Sequence, residues 1–267
     1  MKQRKQIGKT GTVFWKQAGD RAVSLLFPRV CPLCGRILPL VQSTLLTSGD
    51  NPYICRDCYR ELHFPEEPLC FLCSRPIRDE TEAYCRNCAM TVHYFDQGKA
   101  LLMHDEAAKK ILYDLKYHNR RDNARMLAFE AAKRLQEWIG QIKPDVIIPV
   151  PLHRKRQLER GYNQAQLLAG RLSEILASEK IFIPVDSRFL VRVRKTSAQK
   201  QLQSAQRIEN IKGAFEISYR EDPGKYKNRT ILLVDDIYTT GTTISECAKV
   251  LKETGAGKVF FLTFSIG

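Results

Sequence analysis

Two adjacent carboxylates followed by a threonine-rich turn are the strongest chemical signal in this chain. They lie in Ile231-Leu232-Leu233-Val234-Asp235-Asp236-Ile237-Tyr238-Thr239-Thr240-Gly241-Thr242-Thr243. Gly241 lets the backbone approach an oxyanion where a Cβ would obstruct it. Thr239, Thr240, Thr242 and Thr243 add hydroxyls beside main-chain N–H groups, and a helix start would add its partial positive charge. Asp235 and Asp236 repel any phosphate held by such a loop. They suit ribose hydroxyls, or a Mg²⁺ bound together with substrate phosphates. A strand ending in a solvated acidic turn would explain the apolar run, but not two acids followed by four threonines around a glycine.

The cysteines form a second chemical pattern. Eight of the nine make C-x-x-C pairs: Cys31/Cys34, Cys55/Cys58, Cys70/Cys73 and Cys85/Cys88. Such a spacing lets two thiolates bind one metal from a tight turn, and repeated pairs read as tetrahedral zinc ligands rather than as a redox couple. Two structural Zn²⁺ ions are expected, with no position left for water. Sequential pairing puts the first four cysteines on one ion and the last four on the other; interleaved pairing is the alternative, which the spacing does not exclude. Cys247 stands apart and reads as a small core residue.

Cations supply a third pattern. Arg154, Lys155, Arg156 and Arg160 put four positive charges into seven residues after an apolar run, which suits a pyrophosphate. Arg154 is the first candidate among them, and a solvated basic helix start is the plain alternative. Lys116, Tyr117, Arg120 and Arg121 form another basic cluster that a helix end would explain equally well. The segment from Arg192 to Asn210, with Arg194, Lys195 and Gln199, is polar, basic and short of apolar anchors, as a surface loop would be.

These groups need elements to position them. The run Ile231–Val234 reads as a buried strand, and Ile244, Cys247, Ala248 and Leu251 as one face of the helix that follows. That order puts the acids and threonines at the carboxyl end of a sheet strand, where open α/β sheets bind ligands. Strands are also expected at 145–151, 189–193 and 259–264. Helices are expected from the stripe Ala108, Ile111, Leu112, Leu115, over 124–139, and over 164–176. Strands alternating with helices predict an α/β fold with a largely parallel sheet. The expected organisation is a basic tail over residues 1–24, a cysteine-rich zinc module over 25–92 and an α/β domain over 95–267. Across its 267 residues the chain carries 43 Lys and Arg against 29 Asp and Glu, a net charge of +14 that favours polyanionic partners. No run approaches the roughly 18 apolar residues of a membrane span, and no secretory signal follows the basic N-terminus, so a cytoplasmic protein is expected.

The acid–threonine stretch closely resembles the signature of type I phosphoribosyltransferases, enzymes that bind phosphoribosyl pyrophosphate (PRPP). The resemblance implies that Asp235 and Asp236 meet the ribose 2′- and 3′-hydroxyls, that Thr239 through Thr243 hold the 5′-phosphate, and that Mg²⁺ accompanies the ligand. It implies a pyrophosphate loop at Arg154–Arg160 and a flap around Lys195 that closes over PRPP. The cysteine module, then Val150-Pro151-Leu152-His153-Arg154-Lys155-Arg156 with Glu159-Arg160-Gly161-Tyr162-Asn163-Gln164, then Arg192-x-x-x-Thr196-x-x-Gln199, then the acid–threonine loop, together resemble the ComF family of competence proteins over residues 28–267. Membership implies the handling of incoming single-stranded DNA at the cytoplasmic side of an uptake machinery, beside a ComFA-like helicase. Tyr53, Tyr59, Tyr84 and Tyr94 lie near cations and are candidates to stack on bases or to serve the core. Two rival readings stay open: an active phosphoribosyltransferase acting on a small nucleophile, and an adaptor whose zinc module docks a partner. No residue stands out as the base such an enzyme would need.

Overall fold

The computed structural model describes residues 28–39, 51–194 and 211–267. Two short helices, α1 (Arg56–Tyr59) and α2 (Arg86–Met90), belong to the cysteine-rich part. Strand β1 (Gln97–Met103) follows, then α3 (Glu106–Tyr117), α4 (Asp122–Ile142), β2 (Val146–Pro149), α5 (Arg154–Arg160) and α6 (Gln164–Ser178). The remainder is β3 (Leu190–Arg192), β4 (Phe215–Ile217), β5 (Thr230–Tyr238), α7 (Thr242–Glu253) and β6 (Lys258–Ile266). The main sheet runs β1-β6-β5-β2 and every pairing in it is parallel. The short strands β3 and β4 pair antiparallel beside it.

The sheet is covered on both faces, which is why its strands read as near-continuous apolar runs. Alternation along β5 divides the core. Leu232 and Val234 face one cluster with Ile111, Leu127, Leu168 and Leu172 from α3, α4 and α6. Ile231 and Leu233 face another with Ile244, Cys247 and Leu251 from α7. Each fully buried side chain of this kind contributes about 1.5–3 kcal/mol. Helix α3 begins at Asp105, whose carboxylate accepts the Ala108 N–H at 2.9 Å, and its buried residues are Ala108, Ile111, Leu112 and Leu115. The stripe on α7 is buried as expected, and Cys247 is wholly enclosed.

Each half of the cysteine-rich part repeats one local design. Cys31 and Cys70 open tight turns closed by antiparallel bridges, Val30 to Ile37 and Leu69 to Pro76. Cys55 and Cys85 then sit at the N-caps of α1 and α2, which place Cys58 and Cys88 one turn on. The two halves pack on opposite faces of the sheet: Cys31, Cys55 and Cys58 join the α3/α4/α6 cluster, and Cys70, Cys73, Cys85 and Cys88 join the α7 cluster. Between them they cover the outer edge of β1. Gly98 N–H donates to the Leu72 carbonyl, Ala100 N–H to Ser74 Oγ and Met103 N–H to the His63 carbonyl, each at 2.8 Å. An edge covered in this way is closed to pairing with another chain. At Gly98 a Cβ would lie 2.2 Å from the Phe261 ring, so the close approach of β1 to β6 needs glycine.

Candidate functional site

Strand β2 ends at Pro149, opposite Val234, and its last hydrogen bond runs from Val150 N–H to the Val234 carbonyl. Strand β5 does not end there. The sequence suggested that it stops at the acids, but it continues through Asp235 and Asp236 to Tyr238, paired on its other side with Thr263 to Ile266 of β6. The two carboxylates therefore project past the end of β2 into a cleft of about 750 Å³. That size suits a small-molecule ligand.

Behind the acids, the chain turns at Gly241 and enters α7. Gly241 has φ +75°, in the left-handed region, and a Cβ on it would meet Tyr238 Oη at 2.3 Å. Both backbone conformation and space therefore demand glycine. Thr239, Thr240, Gly241, Thr242 and Thr243 all line the cleft. The hydroxyls of Thr240 and Thr242 lie 2.8 Å apart. The N-terminal end of α7, with the dipole of its twelve residues, favours an anion here.

The acids are electrically unequal. Lys116 of α3 makes an ion pair with Asp236, with both side chains largely buried. Burial pushes Asp236 up, but the Lys116 ammonium, with hydrogen bonds from Lys116 and Asp235, outweighs it and holds the carboxyl below its usual range. Asp235 goes the other way: burial first, then the Asp236 charge, push it well above that range. The Asp236 backbone N–H donates to Asp235 Oδ1 at 2.8 Å. Asp235 therefore holds its proton more tightly than Asp236.

The cationic wall differs from expectation. Residues 154–160 form a helix, not a loop, and helical spacing sorts their side chains. Arg156 and Arg160, four residues apart, line the cleft with Glu159, whereas Arg154 and Lys155 are exposed and lie outside its lining. Of the expected pyrophosphate residues, Arg156 and Arg160 therefore line the cleft and Arg154, the first candidate, does not. Arg160 Nη1 donates to Gln164 Oε1 at 3.0 Å and Nη2 to the Tyr117 hydroxyl at 3.3 Å. Arg192, at the end of β3, completes this wall with its guanidinium 5.2 Å from the Phe215 ring centre. Burial, then the charge of Arg156, press the Arg192 pKa downward, a strain that a bound phosphate would relieve. Arg194 points elsewhere, donating to the Lys212 carbonyl at 2.8 Å. Lys195 and Gln199 lie outside the described residues. Lys116 and Tyr117, noted in the sequence only as part of a basic cluster, and Arg192, noted only in the flap motif, also line the cleft, as do His104 and Asn119, which the sequence did not single out.

The cysteines resolve into two clusters. Cys31, Cys34, Cys55 and Cys58 bring their Sγ atoms within 4.8 Å of one another, as do Cys70, Cys73, Cys85 and Cys88. The pairing is sequential, and the interleaved alternative is excluded. Tetrahedral zinc with bonds of about 2.3 Å requires sulfurs about 3.8 Å apart, and Cys34–Cys55 and Cys73–Cys85 are each 3.7 Å apart. Without a cation the second set cannot ionise together: hydrogen bonds from Cys73 and Cys88 lower Cys70, while the hydrogen bond with Cys70 pushes Cys73 up to about 12. These clusters fit structural zinc ribbons.

The second ribbon also grips the anion loop. Arg75 Nη2 donates to the Thr239 and Gly267 carbonyls, both at 2.6 Å, and Asn87 Nδ2 donates to the Thr240 carbonyl at 3.1 Å. Tyr94 N–H donates to Ser245 Oγ in the first turn of α7 at 3.1 Å. Of the four tyrosines in and beside the module, Tyr53 is buried against Phe129, and Tyr59 donates to the internal carboxylate of Glu130 at 2.8 Å. Those two serve the core. Tyr84 and Tyr94 are partly exposed. No helix among the described residues is long and apolar enough to cross a membrane.

Comparison with known proteins agrees with this architecture. Residues 22–89 match the double zinc ribbon domain and residues 120–264 the phosphoribosyl transferase domain. The chain is 33% identical to competence protein F of Haemophilus influenzae, over 77% of this chain and 93% of that one. It is 30% identical to the DNA utilization protein YhgH of Shigella flexneri, over 78% and 94%. Competence protein ComFC of Streptococcus pneumoniae is 28% identical, over 88% and 98%. The chain belongs to the ComF family of competence proteins, with a double zinc ribbon ahead of a phosphoribosyl transferase domain.

Proposed function

We propose that this chain acts in DNA uptake, handling incoming single-stranded DNA at the cytoplasmic side of the membrane beside a ComFA-like helicase, with a PRPP-type ligand in its cleft. The observation that carries the ligand assignment is the division of one cleft into an acid pair, a threonine–glycine turn and a cationic wall. Relatives named for competence and DNA utilization support the biological role.

In this reading the ribose diol meets Asp235 and Asp236, and the 5′-phosphate lies in the turn Thr239–Thr243. Arg156, Arg160 and Arg192 face the pyrophosphate. A Mg²⁺ ion bound with the ligand would supply charge neutralisation at the pyrophosphate, within reach of the acid pair. Lys116 keeps Asp236 ionised and oriented before any ligand arrives, so that carboxylate is preorganised as an acceptor. The +14 net charge favours phosphate-rich strands.

The test is calorimetric titration of the full chain with PRPP and Mg²⁺. The Asp235→Asn/Asp236→Asn pair should lose at least tenfold in affinity. Equal affinity in that variant would show that the ligand, if bound at all, sits elsewhere.

A further inference from the structure

Helix α3 carries an unusual outer face. Its inner stripe is buried, yet Tyr113 and Tyr117, four residues apart, leave 49% and 55% of their surface to solvent. Their ring centres are 4.8 Å apart. His118 meets Tyr113 edge-on at 5.3 Å. The Arg160 guanidinium lies 5.0 Å from the Tyr117 ring centre, and that of Arg121 lies 4.6 Å from the Tyr162 ring centre. His118, Tyr113, Tyr117 and the Arg160 guanidinium thus form one run of planar groups, and the Arg121–Tyr162 pair is a second such contact. The nearest carboxylate on the same helix, Asp114, is met by His118 at 2.7 Å and Lys110 at 3.8 Å, so it does not give the surface a negative field. Tyr117, Arg160 and Tyr162 also line the cleft, so the surface starts at its mouth. Arg120 and Arg121 extend the positive charge beyond the cleft, and both are exposed.

We infer that this face is a stacking platform for the bases of single-stranded DNA, running outward from the mouth of the phosphoribosyl cleft. Bases stack on tyrosine and guanidinium planes without regard to sequence, while neighbouring cations hold the backbone. A free nucleobase or mononucleotide would satisfy the stacking groups alone. Arg120 and Arg121 lie outside the cleft, where only a longer phosphate chain would reach them. The inference rests on the reading of this chain as a single-strand handler, and gives that strand a place.

Fluorescence anisotropy of a labelled oligothymidylate with the full chain tests it. Tyr113 lies outside the cleft lining, and Tyr113→Ser should weaken strand binding about five- to 160-fold, the range of one stacked base. Tyr113→Phe should bind like the unaltered chain. Arg120→Gln/Arg121→Gln should lower the slope of log affinity against log salt by about 0.7 per charge removed. Photocrosslinking of an iodouracil strand should mark α3. If the unaltered chain binds no strand at low salt, the functional reading itself fails. If it binds, but Tyr113→Ser and Arg120→Gln/Arg121→Gln both match it and crosslinks fall on the second ribbon, the platform is wrong and the reading survives. Loss of thymidine monophosphate binding in Tyr113→Ser, with strand binding intact, would also overturn the platform.

Discussion

The contact of Arg75 with the anion loop allows a quantitative prediction. One nitrogen of its guanidinium serves two carbonyls, those of Thr239 and Gly267, at 2.6 Å each. A hydrogen bond from a charged donor is worth about 1.5–3 kcal/mol. Because Arg75 is only part-buried and a single nitrogen is shared, the low end applies to each bond, or roughly 3 kcal/mol for both. Replacement by methionine keeps the apolar stem and leaves two carbonyls without that donor. At 2–4 °C per kcal/mol for domains of this size, Arg75→Met should melt about 6–12 °C lower. Amides of the Thr239–Ser245 segment should exchange with solvent faster, while zinc content stays at two per chain because all eight cysteines remain. Scanning calorimetry, hydrogen-exchange mass spectrometry and metal analysis would read these three quantities. Unchanged melting together with unchanged exchange in the loop would refute the reasoning, since the carbonyls would then be held by something else.

Other expectations follow from the same geometry. Asp235 is an acid whose folded pKa is raised, so ionising it opposes folding, and stability should rise as pH falls from above that value toward the ordinary carboxylate range. Asp235→Asn should therefore be more stable than the unaltered chain at pH 7 and should flatten that pH dependence in denaturant titrations. Lys116→Met should have the opposite effect, costing about 3 kcal/mol in the same titrations by leaving Asp236 buried without its cation. Gly241→Ala should destabilise the fold by at least about 1–3 kcal/mol, through strain at positive φ with the Tyr238 contact added to it, read by the same method. Adding Tyr238→Phe should recover only part of that loss, because the ring carbon Cζ would itself stand 2.7 Å from the new Cβ. A chelator followed by native mass spectrometry should remove the zinc at Cys31/Cys34/Cys55/Cys58 first, since Cys34 is exposed while the other cluster is wholly buried.

Local signals were legible in the sequence wherever one element carried them. The acid–threonine turn, the stripes on α3 and α7 and the cysteine spacing each depend on a few neighbouring residues, and each has the neighbours expected. Strand β1 is not legible because Gln97-Gly98-Lys99-Ala100-Leu101-Leu102-Met103 contains no β-branched residue, so nothing local favours a strand. Its state is imposed by pairing with β6 and by the ribbon along its edge. The sequence ranked Arg154 ahead of Arg156 because a loop reading gives no angular sorting, whereas in a helix two residues two apart point to nearly opposite faces, and only Arg156 lines the cleft. Lys116 was visible as a cation, but its partnership with Asp236 spans 120 positions and exists only in three dimensions.

The position of the ribbons on both faces of the sheet also bears on how the chain is made. The ribosome delivers the cysteines early, yet the surfaces that enclose them come late. Cys88 waits 150 residues for Tyr238, and Arg75 waits 192 for Gly267. Contacts so distant in sequence form slowly. During translation the paired thiols would therefore depend on metal for their order, before any sheet exists to shelter them. Zinc supply at that moment, rather than in the finished molecule, sets whether the nascent chain reaches its fold or is lost to oxidation and aggregation.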